Sequence, residues 1–342
     1  MHGHGKNLRQ YFNNQYKEDA MHHSAKLATG LLLTFVVSGV QAQVANYPNR
    51  PVRFVAPFVA GGPSDILSRM MAAKLADALG QQFIVDNRGS AGGIVGFEIG
   101  AKAAPDGYTI MLAANSGITV NPHVYKKLPY DPERDYMPIT QLTSGGNVMV
   151  VHPSVPAKSV ADFIALAKSQ PGKLNYATTG TGNVLGIANF TRLANITMTP
   201  IAYKGTGQAV IDLIGGHVQM FMMNPLVAIP HVKSGKLRGL GVTSLERNPA
   251  LPDMPTVHES GLPNFKYLTW HSILAPAATP RPIINKLNAE LVKALNAPDV
   301  KQKITGEGLT VVGNQPEDVI KLIRAESKEM AELVKAINFQ KL

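Results

Sequence analysis

The chain has 342 residues, of which 45% are hydrophobic, with no cysteine and a formal net charge of +10. This length allows one large core or two lobes of ordinary domain size. The lack of cysteine excludes disulfide bonds, thiolate zinc sites and a cysteine nucleophile. A nucleic-acid site would need clusters of lysine and arginine with interleaved aromatic residues. Because the longest basic run is the pair Lys126-Lys127, we predict no nucleic-acid partner.

The N-terminal region contains one apolar stretch, residues 27–40 (LATGLLLTFVVSGV). It is shorter than the roughly 20 residues that a membrane-spanning helix needs. A positive charge precedes it, and a pattern of small residues typical of signal-peptide cleavage ends at Ala42. The alternative, a buried core helix, is disfavoured because the stretch has no polar face. We therefore predict that residues 1–42 are an upstream extension and a signal peptide, that translation starts at Met1 or Met21, and that the mature chain lies outside the inner membrane.

After residue 50, short apolar runs alternate with helical patterns. Strands are predicted at 52–56, 82–86 and 109–114, and a helix with apolar residues at steps of four is predicted at 64–79. Strands separated by helical stretches indicate βαβ units and a mostly parallel sheet.

The same alternation then starts again in the middle of the chain. At the helix predicted for 159–169, Ser159 is the N-cap candidate and Asp162 follows three residues later, a capping-box-like signal. The remaining predicted strands are 147–153, 174–178, 199–203, 218–223 and 237–244, and the remaining predicted helices are 184–194, 207–214 and 225–234.

The C-terminal part has too few strands to form a sheet alone. An apolar run at 267–276 leads into helices predicted at 281–296 and 315–337, with one short strand at 309–313 between them. We expect this part to return to the first lobe, so that the chain crosses between lobes near 142–147 and near 267–273. The predicted architecture is two α/β lobes joined by a two-strand hinge, with lobe 1 formed by 44–145 plus 269–342 and lobe 2 by 146–268.

Several strand-to-helix junctions are rich in glycine. In an open α/β sheet these junctions lie at the carboxyl ends of the strands, where ligands bind. Glycine allows close approach of a ligand to the backbone, and a helix N-terminus offers unpaired N–H groups and a partial positive charge. An ordinary tight turn explains any single junction, but several of them facing each other across a cleft would bind an anion. The junctions are 57–65 (PFVAGGPSD), 87–96 (NRGSAGGIVG), 178–183 (TTGTGN) and 203–208 (YKGTGQ), with 114–122 as a fifth, less glycine-rich one.

Motifs for catalysis, metals and nucleotides are absent from the sequence. There is no G-x-S-x-G elbow and no P-loop, and residues 180–186 (GTGNVLG) miss the dinucleotide fingerprint by one position. Residues 258–262 (HESGL) lack the second histidine of a zinc helix. Asp65 could act as a general base, but a carboxylate at a helix N-terminus is the favoured interpretation. We predict no catalytic residue, no metal and no cofactor.

Several blocks of the chain together resemble one known family. The stretches YPNRPVRFVAPFVAGGPSD, VDNRGSAGGIVG, YKGTGQAVIDLIGGHVQMF and LPDMPTVHESGLPNF are similar to the Bug (TctC-like) family, the periplasmic solute receptors of tripartite tricarboxylate transport systems. The similarity covers about residues 47–342. It implies the type II periplasmic-binding-protein fold, with a ligand in the cleft between two α/β lobes.

The resemblance also implies a set of ligand-binding residues. In lobe 1 they are Phe58, Gly61, Gly62, Ser64 and Asp65 in the first loop, Ser90, Ala91 and Gly92 in the second, and Asn115 and Ser116 in the third. In lobe 2 they are Thr179, Gly180, Thr181, Gly182, Asn183, Tyr203, Lys204 and Gly205, and we add Asn224 and Trp270 to the set.

The chain departs from the family pattern at positions that affect the pocket. Asn183 stands where serine or threonine is usual, and His271 follows the tryptophan where a smaller or aromatic residue is common. Leu185-Gly186 and Gly89-Ser90 also differ from the usual pairs. The identity of the ligand therefore cannot be transferred from the family.

These observations predict a monomeric periplasmic receptor that binds a small organic carboxylate by lobe closure, without a covalent step. Backbone N–H groups and hydroxyls would hold the carboxylate, and Phe58 would pack against its apolar part. The expected partners are membrane subunits of a tripartite tricarboxylate-type transporter. Two alternatives stay open: a ligand-sensing component of a signalling system, and an exported enzyme acting on a carboxylate, which would need a nucleophile or base with a partner.

Overall fold

The computed structural model describes residues 46–342. The predicted signal peptide and its cleavage site lie outside these residues. Residues 46–49 belong to a separate N-terminal unit, and all elements named below lie within Arg50–Leu342. Within the described part of the chain, none of the helices has the length and apolar character needed to cross a bilayer.

The predicted elements occur in the predicted order, with bounds that differ by a few residues. The structure adds the strand Tyr136–Gly146 and the helices Ile94–Ala101, Asn121–Val124 and Pro298–Gly306, which were not predicted. The strands are β1 (Val52–Ala56), β2 (Phe83–Asn87), β3 (Thr109–Ala114), β4 (Tyr136–Gly146), β5 (Val148–Val151), β6 (Asn175–Thr178), β7 (Thr199–Ala202), β8 (Met220–Met223), β9 (Arg238–Val242), β10 (Leu268–Pro276) and β11 (Thr310–Val311). The helices are α1 (Pro63–Leu79), α2 (Ile94–Ala101), α3 (Asn121–Val124), α4 (Val160–Ser169), α5 (Thr181–Ala194), α6 (Thr206–Ile214), α7 (Pro225–Lys233), α8 (Arg281–Asn296), α9 (Pro298–Gly306) and α10 (Pro316–Ala336).

The first sheet has the strand order β11-β4-β10-β3-β1-β2. Strands β2, β1 and β3 are parallel, whereas β10 is antiparallel to both β3 and β4, and β11 is antiparallel to β4. The expectation of a mostly parallel sheet is therefore wrong for half of this sheet. The reason is that β10 returns from the second sheet and so runs against the strands that lead toward it. We call this sheet and the helices packed on it lobe 1.

The second sheet has the order β7-β6-β8-β5-β9. Here β6 pairs in parallel with β7 and β8, and β5 pairs antiparallel with β8 and β9. Alternate residues of β8 enter different cores, since Met220 and Met222 belong to the cluster on one face of the sheet, and Phe221 and Met223 to the cluster on the other. The methionine-rich strand β8 (Met220–Met223) is therefore buried in the core. We call this sheet and its helices lobe 2.

Two segments connect the lobes. β4 continues through Asn147 into β5, and Tyr267 leads into β10, which pairs with the whole length of β4. The backbone N–H of Asn147 donates to Thr243 Oγ1 at 2.7 Å, and the N–H of Tyr267 donates to the Thr243 carbonyl at 2.9 Å. This confirms the predicted two-strand hinge, which these hydrogen bonds tie to the end of β9.

Local signals explain how the helices are placed. In α1, Leu67, Met71 and Leu75 are fully buried, and Gly80 ends the helix in the left-handed conformation with φ 69°. In α4, the Ser159 side chain accepts a hydrogen bond from the Asp162 N–H at 3.1 Å, as predicted for its N-cap.

Candidate functional site

A cavity of about 100 Å³ lies at the carboxyl ends of strands from both sheets. Its walls come from the loops that follow β1, β3, β6, β7 and β8, and from the hinge residues Asn147 and Tyr267. The predicted ligand-binding residues that line it are Phe58, Gly62, Ser64, Asn115, Ser116, Thr179, Gly180, Gly182, Asn183, Gly205 and Asn224.

The other predicted residues do not line this cavity, and several of them hold the loops that do. Asp65 accepts hydrogen bonds from the Gly61 N–H and from the Arg69 guanidinium, both at 3.0 Å. Burial works to raise the pKa of Asp65, but these hydrogen bonds outweigh it, and the pKa is lowered below its ordinary value. Asp65 is thus an ionised residue that shapes the first loop rather than a general base with a free carboxylate.

The predicted residues of the second loop do not line this cavity. Ser90 Oγ accepts from the Val95 N–H at 3.0 Å, and the Gly92 carbonyl accepts from Asn121 Nδ2 at 2.9 Å. Ala91 is exposed. Their contact with a ligand stays a prediction.

In lobe 2, Tyr203 and Lys204 also do not line the cavity. The Tyr203 hydroxyl donates to Asp212 Oδ2 at 2.8 Å, and Lys204 is exposed. Their neighbour Gly205 does reach the cavity. Thr181 instead bridges the two lobes: its Oγ1 donates to Asn121 Oδ1 at 2.7 Å.

Trp270 is 2% exposed and packs in the lobe 1 core. Its indole N–H donates to Glu326, whose carboxylate also accepts from Asn115 Nδ2 at 2.9 Å and Thr119 Oγ1 at 3.2 Å. Burial raises the pKa of Glu326, and these three donors partly offset that effect. Trp270 and Glu326 line a second cavity of about 180 Å³ next to α10, so a direct role for Trp270 at the first cavity is not supported by its position.

Three helices begin at the first cavity with glycine N-caps. Gly62, Gly180 and Gly205 precede α1, α5 and α6, and none of the three helices has a side-chain cap. The first N–H groups of an α-helix have no partner within the helix, and each N-terminus carries a partial positive charge. Three such ends around one cavity form an anion-binding arrangement that needs no lysine or arginine.

No charged side chain is among the described residues that line this cavity. The one titratable imidazole in the lining is His271, which is 2% exposed and whose Nδ1 lies 3.2 Å from Thr143 Oγ1. Burial lowers its pKa to about 4, so the ring is neutral at pH 7. Any negative charge in the cavity must therefore be stabilised by dipoles and hydrogen bonds.

Asn183 is one of the departures from the family pattern. Its side-chain amide is hydrogen-bonded to other residues of the protein. Its Oδ1 accepts from Thr179 Oγ1 at 2.7 Å, and its Nδ2 donates to the Met222 carbonyl at 2.8 Å and to the Tyr267 hydroxyl at 3.2 Å. Asn183 thus fixes the loop before α5 to strand β8 and to the hinge.

The loops of the two lobes touch each other over the cavity. A Cβ atom added at Gly205 would lie 1.9 Å from Val59 Cγ2, which means that the first loop packs directly on the lobe 2 backbone. A Cβ added at Gly182 would lie 3.3 Å from Ser116 Cβ. The structure is therefore a closed one.

Sequence reasoning missed part of the lining. Val59 and Thr206 lie within glycine-rich junctions, and the end of β8 adjoins Asn224, so these positions could have been predicted from the sequence. Asn147, Tyr267 and Thr269 belong to the hinge, and only the fold brings them to the cavity. The residues missed are Val59, Pro63, Ala114, Asn147, Thr206, Phe221, Met222, Met223, Tyr267, Thr269 and His271.

Two α/β lobes, two connecting strands and a cavity ringed by helix N-termini define a solute receptor of the periplasmic-binding-protein type. The chain matches the model of the family described as "Tripartite tricarboxylate transporter family receptor" over residues 67–339. It therefore belongs to that family.

Known relatives agree over nearly the whole chain. Protein BugT of Bordetella pertussis is 33% identical over 303 residues, which cover 87% of this chain and 93% of the relative. A protein of R. palustris solved with adipate has 30% identity and a TM-score of 0.84, covering 86% of this chain and 100% of that one. MatC from Rhodopseudomonas palustris, with bound malate, has 31% identity and a TM-score of 0.81, covering 84% and 100%.

Proposed function

We propose that this chain is a periplasmic receptor that captures a small organic carboxylate in the cavity between its lobes. One observation carries the proposal: three helices with glycine N-caps begin at a cavity whose described lining holds no charged side chain. The carboxylates in the two solved relatives, adipate and malate, support the same ligand class.

The binding mechanism follows from the loop geometry. The carboxylate accepts hydrogen bonds from N–H groups at the starts of α1, α5 and α6, and a hydrogen bond to a charged group contributes about 1.5–3 kcal/mol. Phe58 at the cavity wall packs against the apolar part of the ligand. Since α1 belongs to lobe 1 and the other two helices to lobe 2, the ligand stabilises the closed state over an open one.

The wider role follows the family. The chain is exported by its N-terminal signal peptide, acts as a monomer, and presents the ligand to membrane subunits of a tripartite tricarboxylate-type transporter. Lobe 1 consists of 44–145 plus 269–342 and lobe 2 of 146–268, so that the ligand joins two units that can move about the hinge. The family is one of solute receptors, and the protein releases its ligand unchanged.

The test is a thermal-shift screen of the mature chain against carboxylates, each paired with its uncharged amide. A ligand at 100 times its Kd stabilises the folded state by about 2.7 kcal/mol, so we expect carboxylates to raise the melting temperature and their fully amidated twins to leave it unchanged. NMR of the ligand after prolonged incubation should show no conversion. A screen without a stabilising carboxylate, or conversion of the bound one, would contradict the proposal.

A further inference from the structure

Asn224, a residue of the cavity lining, has a buried hydrogen-bond donor without a partner. The residue lines the cavity and is 6% exposed. It is the N-cap of α7, where its Oδ1 accepts from the Leu226 N–H at 3.1 Å. Within residues 46–342, no group accepts a hydrogen bond from its buried Nδ2.

The orientation of this amide is fixed by chemistry. A backbone N–H can bond only to an acceptor, so the atom that faces Leu226 is the oxygen, and the NH₂ group is the one left over. A buried donor without a partner is unfavourable. An acceptor on a bound ligand would remove that cost.

The N-terminus of α7 differs from the three glycine-capped ends. Pro225 has no N–H, and the N–H groups of Val227 and Ala228 both donate to the Asn224 carbonyl, at 3.0 Å each. With Leu226 held by the Asn224 side chain, the first turn of α7 has no free N–H for an anion. The start of α7 therefore has one neutral donor left for a ligand, Asn224 Nδ2.

The residues around Asn224 provide no group that would stabilise a second negative charge on the ligand. The neighbouring lining consists of Phe221, Met222 and Met223 from β8, and the described lining contains no lysine or arginine. A carboxylate buried next to the start of α7 would lose its hydration without gaining a cation or a free helix N–H group. A neutral acceptor loses far less hydration and still satisfies Asn224.

We propose that Asn224 selects the far end of the ligand, and that this ligand is a monoanion with one carboxylate and, at its other end, a neutral hydrogen-bond acceptor such as an amide, keto or hydroxyl oxygen. The inference rests on the proposed function and refines it. It separates this chain from its relatives solved with adipate and malate, which are dicarboxylates.

The first test compares ligands of equal size on the wild-type protein by calorimetry. Succinate, succinamate and 4-methylpentanoate have a carboxylate at one end and differ at the other. The other end is charged in succinate, polar but neutral in succinamate, and apolar in 4-methylpentanoate. The same trio is made one carbon shorter and one carbon longer, and the length that binds best is used. We expect the half-amide to bind at least tenfold more tightly than both others.

The outcomes separate the two proposals. If the dicarboxylate or the apolar monoanion binds as tightly as the half-amide, the inference about Asn224 is overturned while the carboxylate receptor stands. If no member of any trio binds, the proposed function fails and the inference fails with it.

The second test is Asn224→Asp, which keeps the oxygen that caps α7 and replaces the free NH₂ by a carboxylate oxygen. We expect the Kd of the half-amide to rise at least tenfold, and its advantage over 4-methylpentanoate to disappear. Asn195→Asp makes the same change at an exposed residue of lobe 2, at the C-terminal end of α5, and should leave both values unchanged. If the ratio of the Kd values for the half-amide and 4-methylpentanoate is the same in Asn224→Asp as in the wild type, the inference is overturned. A general loss of affinity would raise both Kd values and leave their ratio unchanged, so it cannot be mistaken for the expected effect.

Discussion

At the scale of single residues, closure depends on how little space separates the two lobes. Gly205 has an extended backbone, with φ −173°, which any residue can adopt, so its requirement for glycine is one of space. Val59 Cγ2 would lie 1.9 Å from a Cβ at this position, whereas a Cβ at Gly207, two residues later, would meet no atom within 4 Å. The two glycines form a natural pair for comparison.

We expect Gly205→Ala to weaken ligand binding. Overpacking of a close contact costs about 1–3 kcal/mol, which corresponds to a Kd raised by about 5- to 150-fold. Calorimetry with the best carboxylate of the screen measures the change, and Gly207→Ala should bind like the wild type. Adding Val59→Ala to Gly205→Ala should restore affinity, and a double variant as weak as the single one would contradict the contact.

His271 makes a prediction about pH. Burial lowers its pKa to about 4, against about 6.5 in the unfolded chain. At a pH between about 4 and about 6.5, His271 is protonated in the unfolded chain but neutral in the folded protein. The free energy of unfolding therefore falls as the pH drops from about 6.5 to about 4. The complete loss is on the order of 3 kcal/mol.

Urea denaturation at pH 7 and at pH 4.5 tests this directly. The wild type should lose more stability across this interval than His271→Gln, which cannot take up the proton. Equal losses in the two proteins would show that His271 does not contribute to the acid sensitivity.

At the scale of elements, the starts of α3 and α5 meet across the cleft. Asn121 and Thr181 are buried, and Asn121 Nδ2 also donates to Gly92 and to the Tyr130 hydroxyl. These bonds leave Asn121 Oδ1 facing Thr181 Oγ1, at 2.7 Å. One buried side chain thus connects the second loop of lobe 1 to the first turn of α5 in lobe 2.

Thr181→Val should therefore weaken the closed state. The change keeps the shape of the side chain but leaves Asn121 Oδ1 buried without a donor, which costs about 1–3 kcal/mol. Stopped-flow dissociation should show faster ligand release by about 5- to 150-fold. Thr191→Val is the control, because Thr191 Oγ1 donates to the Ala188 carbonyl within the same helix, and release as fast from this variant would contradict the bridge.

Element prediction from the sequence worked where apolar runs alternate with helical periods. It missed β4 because Tyr136–Gly146 contains proline, glycine and several polar residues, which read as a loop. In the fold those polar groups are paired: Thr140 Oγ1 donates to the Asn314 carbonyl at 2.8 Å, and the Gln141 N–H donates to Asn314 Oδ1 at 3.0 Å. A buried strand whose polar side chains are satisfied by a distant loop leaves no local signal.

At the scale of the whole molecule, the sequence predicted which loops meet but not which atoms face the cavity. Glycine junctions mark the ends of the strands, and the fold confirms that those ends converge. The role of Asn183 depends on Met222 and Tyr267, which become its neighbours only through tertiary packing. Asp65, by contrast, bonds to Gly61 and Arg69, each four residues away, in keeping with its predicted place at a helix N-terminus. The same limit applies to His271, which the sequence marks as unusual without showing that it lines the cavity.

The central claim is that backbone dipoles, with no counter-cation, hold the carboxylate between the lobes. A crystal structure of the protein with the carboxylate that gives the largest thermal shift tests it most directly. We predict carboxylate oxygens within about 3.2 Å of N–H groups at the start of α1 and at the start of α5 or α6, with no lysine or arginine in contact. A carboxylate paired with a basic side chain, or bound beside Trp270 and Glu326 instead, would contradict the account.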